Sequence, residues 1–170
     1  DLFPAINYDL IDLNEYLERH DSGKGIFQYI TSRGCHGGCR FCVMRRLFKG
    51  EIFRKPLEQM KSELEEVLSK YKISSIRFSD DNAFRNDEQA DELCELLLSI
   101  KVERKFSWRC PTRVDTLCNI SDRSFEKMVG IIPLKEHPAR LIDQLRREIR
   151  NVRIIDFKVD ILFNGHGKYA

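Results

Sequence analysis

The sequence predicts an α/β protein in which strands and helices alternate. Apolar runs over 25–32, 73–79 and 104–110 read as strands, and stretches of helical period over 56–71 and 87–100 separate them. That alternation builds a parallel sheet, because a parallel connection needs a crossover long enough to hold a helix. A third observation concerns chemistry. Three cysteines, Cys35, Cys39 and Cys42, follow the first strand directly, at the strand end where α/β barrels carry their active sites.

Residues 1–22 read as a leader. Ile6, Tyr8, Leu10, Ile11, Leu13, Tyr16 and Leu17 form an irregular apolar series with a short helical part near 12–19. Ser22, Gly23 and Gly25 mark the break before the first strand. In that strand Ile26, Phe27, Tyr29 and Ile30 are apolar on both faces, as a buried parallel strand requires. In the helix over 56–71, Pro56 suits the first helical position and Glu58 the first turn. Leu57, Met60, Leu64, Val67, Leu68 and Tyr71 make one apolar stripe, with Lys61, Glu63, Glu65 and Glu66 on the polar face. The second strand ends in Ser79-Asp80-Asp81-Asn82. Asn86 caps the next helix, with Gln89 as capping-box partner. Ala90, Leu93, Cys94, Leu97 and Ile100 are its buried stripe, which makes Cys94 an inert core residue.

In the third strand Phe106, Trp108 and Cys110 alternate with Ser107 and Arg109. A helix over 121–129 is capped by Ser121 or Asp122 and turns Phe125 and Met128 inward. Residues 23–129 hold these alternating strands and helices. Residues 130–170 are an atypical tail, with Gly130-Ile131-Ile132-Pro133, a helix over 138–150 and a strand over 152–163. Asn164-Gly165-His166-Gly167 follows, with His166 read as an exposed tail residue.

The 170 residues suffice for one domain with a real core. A hydrophobic share of 42% and a net charge of +2 point to a globular protein and give no signal for nucleic acid or an anionic membrane. No apolar run approaches a membrane span, and Asp1-Leu2-Phe3-Pro4 is not a secretory signal. The absence of an initiator Met suggests a fragment. Grouped cysteines without secretion signals read as metal-binding in a reducing cytoplasm rather than as disulfides.

The spacing C-x3-C-x2-C, with Gly37 and Gly38 in the first gap, lets three thiolates close on one centre. Thiolates favour iron–sulfur clusters, zinc or copper(I). Structural zinc wants four ligands, usually as two C-x2-C pairs, and no second C-x2-C pair is present among the six cysteines. A cubane cluster on three cysteines leaves one iron for an exogenous chelator. The glycines allow backbone N–H groups to aim at the sulfurs, and Arg40, Arg45, Arg46 and Lys49 offset negative charge.

With the aromatic Phe41 before its last cysteine, this motif resembles the radical S-adenosylmethionine (SAM) superfamily. Thr31-Ser32-Arg33-Gly34-Cys35 and Ser79-Asp80-Asp81-Asn82 resemble its cobalamin-dependent branch, and the likeness covers roughly residues 1–128. It implies a partial (βα) barrel, here incomplete, from a truncated or internally deleted member. It implies a 4Fe-4S cluster on Cys35, Cys39 and Cys42, with SAM on the fourth iron cleaved reductively to a 5′-deoxyadenosyl radical. Ser79, Asp80 and Asp81 take the position of the family's Gly-Gly-Glu motif, which holds the SAM amino group. Arg109 or Arg113 would meet a carboxylate, and Phe41 would shield the cluster or flank adenine. An electron donor such as flavodoxin or ferredoxin, a small-molecule substrate, and cobalamin on an upstream domain complete the expectation.

Plainer readings stand beside each assignment. The cysteines also suit a zinc loop or three unrelated buried thiols, and a remnant that binds a cluster without catalysis is a further alternative. Phe41 also reads as a core aromatic, Asp80-Asp81 as a solvated turn, and Arg113 as part of a surface salt bridge.

Overall fold

The computed structural model describes residues 3–19, 25–102, 106–129 and 163–164. A 3₁₀ turn (Tyr8–Leu10) and a one-turn helix α1 (Leu13–Tyr16) lead into β1 (Glu18–Arg19) and β2 (Gly25–Tyr29). Next come β3 (Ser32–Arg33), α2 (Met44–Phe48), β4 (Phe53–Arg54), α3 (Leu57–Lys70) and β5 (Ile73–Phe78). Helix α4 (Asp87–Ser99), β6 (Ser107–Arg109), α5 (Val114–Asn119), α6 (Asp122–Val129) and β7 (Phe163–Asn164) complete the order. The expected Gly130–Pro133 break, the helix over 138–150, the strand over 152–163 apart from Phe163, and His166 lie outside the described residues.

One sheet runs in the order β1-β2-β5-β6-β7. Its three middle strands are parallel, and β1 and β7 pair antiparallel at the edges. Helix α3 lies between β2 and β5 in the chain, and α4 between β5 and β6, as parallel pairing demands. The α/β class is therefore as the sequence predicts. The partial barrel is not established: the structure supports the coarser statement of a three-strand parallel sheet with flanking helices.

Register sorts the side chains. Phe27, Ile76 and Trp108 share one row and Tyr29 and Phe78 the next, all on one face by the two-residue period of a strand. They join Met60, Leu64, Val67 and Leu68 of α3 and Leu93, Cys94 and Leu97 of α4 in one core. Each such fully buried side chain contributes about 2 kcal/mol. Phe78 packs edge-on against Tyr29 at 6.2 Å and Trp108 at 5.8 Å between ring centres. The alternate positions carry Gln28, Arg77 and Arg109 in one row.

The first strand stops at Tyr29, earlier than its apolar run suggests. The backbone N–H groups of Thr31 and Ser32 donate to Asp80 instead of a sheet ladder. Pro56 sits one residue before α3, where its carbonyl accepts the Met60 N–H at 3.0 Å. Asn86 caps α4 through the Gln89 N–H at 3.1 Å, but Gln89 Oε1 reaches back to Arg85 N rather than to the cap. Ser121 caps α6 by accepting the Ser124 N–H, and Phe125 and Met128 are buried as expected.

Glu63 departs from the polar face assigned to it and is only 5% exposed. Its carboxylate accepts from Tyr29 Oη at 2.6 Å, Lys55 Nζ at 2.7 Å and Gln59 Nε2 at 2.8 Å. The Lys55 ammonium also lies 4.4 Å from the Tyr29 ring centre. Burial works against the Glu63 charge, yet these donors hold its carboxyl below the usual range. Burial first, then the bond to Glu63, pushes the Tyr29 hydroxyl up. Among the described residues no helix is long and apolar enough to cross a membrane.

Candidate functional site

The candidate site gathers where β2, β5 and β6 end. After Tyr29 the chain enters β3, which pairs antiparallel with β4. These two short strands are the stem of a loop over 34–52 that carries the three cysteines and α2. Gly34 opens the loop with φ +95°, and a Cβ there would stand 2.3 Å from the Glu51 carbonyl oxygen, so glycine is required. At the far side the Lys55 N–H donates to Thr31 O at 2.9 Å.

The loop after β5 holds this stem in place. Asp80 is 4% exposed, and its Oδ1 accepts from Thr31 N at 3.1 Å, Thr31 Oγ1 at 2.7 Å, Ser32 Oγ at 2.7 Å and Ser32 N. Its Oδ2 is buried without a hydrogen-bond partner. Burial raises the Asp80 carboxyl above its usual range, and the donors from Ser32 and Thr31 pull the other way. Asp81 Oδ2 accepts the Gly34 N–H at 3.0 Å. Ser79 donates its N–H to Tyr29 O at 2.8 Å and its hydroxyl to Gln28 Oε1 at 3.1 Å. Asn82 extends the contact to the loop after β6. Its Oδ1 accepts from Arg113 N at 3.0 Å and Thr112 Oγ1 at 3.3 Å, and Ala83 N donates to Pro111 O at 3.0 Å.

The cysteines are free thiols, Cys35 buried and Cys39 and Cys42 half-buried. Gly37 N donates to Cys35 Sγ at 3.3 Å, the kind of contact expected from the glycine pair. Arg113 reaches across from the loop after β6 and donates from Nη1 to Cys39 Sγ at 3.0 Å. Its Nε and Nη2 meet the two Asp115 oxygens at 2.9 and 2.7 Å. The Asp115 bond, then the one to Cys39, raises the guanidinium further above its ordinary value, so the cation is permanent.

Chemically, the donor set suits a thiophilic centre: three free thiols on one short loop, with nitrogen donors already on two sulfurs. Among the described residues no group of three or more His, Cys, Asp and Glu side chains is gathered closely enough to hold a metal ion. The residues fit such a centre in kind and spacing, and metal-ligand geometry is not formed.

Phe41 is 61% exposed, which excludes the core-aromatic reading. Arg109 is the last residue of β6 and pairs in register with Arg77 of β5. Cys94 is buried in the core, and burial pushes its thiol up to about 12. Sequence reasoning missed the β3–β4 stem, the bonds from Thr31 and Ser32 to Asp80, helix α5, which starts immediately after Arg113, and the Arg113–Cys39 contact. The Asp115-Thr116 pair after Arg113 was the available signal for a helix start there.

No protein-family model matches the chain, and no solved structure matches it. An uncharacterised methyltransferase of Pyrococcus horikoshii is 31% identical over 117 residues, covering 68% of this chain and 24% of that protein. Cytidylyl-2-hydroxyethylphosphonate methyltransferase of Streptomyces wedmorensis is 26% identical over 95 residues, covering 54% of this chain and 18% of that protein. The chain thus spans a quarter or less of the curated relatives it matches. These findings correct the assignment to the radical SAM superfamily and to a shortened member of its cobalamin-dependent branch. No family model supports that assignment, and the relatives carry names for methyl transfer alone. What the comparisons establish is a weak likeness to methyltransferases.

Proposed function

We propose that this chain is part of a SAM-using methyltransferase, and that Cys35, Cys39 and Cys42 ligate an iron–sulfur cluster at its cofactor site. The observation that carries this is the trio of free thiols on one loop clamped to the ends of the parallel strands, with N–H donors on two of the sulfurs. The relatives' names support the choice of SAM as the methyl source. When bound, a cluster with three protein thiolates supplies an open iron for a chelating ligand and one-electron reducing power.

The chain's own residues do the positioning. Asp80 fixes Thr31 and Ser32, and Asp81 fixes Gly34, so the loop leaves β2 in one direction. Ser79, Asp81 and Arg109 stand at the ends of β5 and β6, and are the polar side chains assigned to the ammonium and carboxylate of SAM. Phe41, exposed beside Cys42, is assigned to covering the adenine. An external electron donor and a small-molecule methyl acceptor complete the proposal.

Anaerobic incubation with iron and sulfide, followed by metal and labile-sulfide counting and by SAM titration, tests it. The expected result is a coloured protein with iron and sulfide in equal amounts that binds SAM. Each Cys→Ala change at 35, 39 or 42 should abolish uptake. Zinc without labile sulfide, or uptake indifferent to all three substitutions, would overturn the assignment.

A further inference from the structure

We propose that Arg113 is the positioning residue that sets the electrostatics of the cysteine loop, by donating a charged hydrogen bond to the Cys39 sulfur and thereby easing reduction of the centre held there. The inference rests on the cluster reading above, and goes beyond it by naming the residue that tunes the centre.

Three independent constraints aim the guanidinium. The Arg113 N–H is fixed on Asn82 Oδ1 at 3.0 Å, which sets where the side chain starts. Asp115 takes Nε and Nη2, which fixes the plane of the guanidinium and leaves Nη1 to meet Cys39 Sγ at 3.0 Å. Gly37 then makes room. A Cβ at that position would stand 2.2 Å from Arg113 Nη1 and 2.9 Å from its Cζ. The same point lies 3.3 Å from Cys35 Sγ, so the guanidinium passes over the loop beside the first cysteine on its way to the second. Gly37 thus serves the arginine as well as the turn. That explains a glycine whose φ is not positive.

The physical consequence follows from charge. Thiolates and sulfides make a cluster site negative, and reduction adds one more negative charge. A permanent cation donating to a ligand sulfur stabilises the reduced state more than the oxidised one. Lysine keeps the charge but not the planar fork that Asp115 orients. Alanine at position 37 leaves Arg113 in the chain but displaces the flexible end of its side chain.

The experiment is a potentiometric titration of the anaerobically loaded protein, with spectra recorded for wild type, R113Q, R113K, G37A and the R113Q/G37A double variant. Removing the charge should make reduction about tenfold less favourable, a shift of about 59 mV to lower potential for one electron. R113K should recover part of the shift. G37A should lower the potential in the same sense, and the double variant should match R113Q, because both changes break one contact. Variants that fold by denaturant midpoint yet take up less iron than wild type, with R113K restoring it, also support the assignment. If R113Q does not fold, G37A carries the test alone. Equal uptake and equal potential in R113Q or G37A and wild type would overturn the role of Arg113 while leaving the cluster standing. A wild type that takes up no cluster overturns the reading beneath it instead.

Discussion

Substituting Asp80 by alanine and by asparagine separates what its two oxygens do. Oδ1 accepts four hydrogen bonds from Thr31 and Ser32, two of them from backbone N–H groups that are buried with their residues. Alanine leaves all four donors bare. The hydroxyls can rotate toward other acceptors, but the two amides cannot, and each buried orphan costs about 1–3 kcal/mol. The expected loss for D80A is therefore about 2–6 kcal/mol, a large part of the roughly 5–15 kcal/mol that holds a domain together. Asparagine keeps the Oδ1 acceptor and places an amide where the partnerless Oδ2 stands. That NH2 group is itself left without an acceptor, at about 1–3 kcal/mol, but the change also removes a buried charge that desolvation disfavours, so D80N should cost less than D80A. Urea unfolding reads both, as a shift in midpoint at constant slope. If D80A unfolds with wild type, or if D80N falls as far as D80A, the account of Asp80 as the clamp of the cysteine loop is wrong.

Two further outcomes follow from buried groups elsewhere. Glu63→Gln strips Lys55 of its counter-charge in the core and should cost about 3–5 kcal/mol. Because the folded-state carboxyl of Glu63 is held below its unfolded value, its contribution is complete above about pH 4.3 and is lost as pH falls through the lower, folded value. A thermal melting series in acid should accordingly fall more steeply for wild type than for E63Q, and parallel curves would refute the pairing. Cys94, whose thiol burial pushes up to about 12, should resist a thiol reagent in native protein at pH 8 and react on adding denaturant. Mass spectrometry after labelling identifies the modified cysteines, and rapid native labelling of Cys94 would place it outside the core.

The parts of this fold legible in the sequence are those set by period. Helices α3 and α4 and strands β5 and β6 follow from spacing, because burying one stripe or one face is a local demand that side-chain order alone expresses. The same reasoning failed where a partner comes from far along the chain. Glu63 looks solvent-facing by helical phase, and its burial is tolerable because Tyr29, 34 residues away, joins Lys55 and Gln59 in donating to it. The strand over 25–32 stops short because Asp80, 49 and 48 residues from Thr31 and Ser32, claims their donors. At the site, the cysteine spacing was visible at once and Asp80-Asp81 was rightly placed at a strand end. That Asp80 works inward on the loop, and that Arg113 meets Cys39 from 74 residues away, are facts of tertiary proximity with no local signature.

The latch between neighbouring loops also bears on how this chain tolerates change. Loops usually absorb insertions, since their backbone answers only to water. Here Ser79 N must meet Tyr29 O while, one residue on, Asp80 must meet Thr31 and Ser32, and Asn82 must meet Arg113. One extra residue between Phe78 and Asn82 would throw these meetings out of step together. The length of that connection is thus as constrained as a strand register, and variation in loop size is expected to settle elsewhere, on the exposed turn around Lys49 and Gly50.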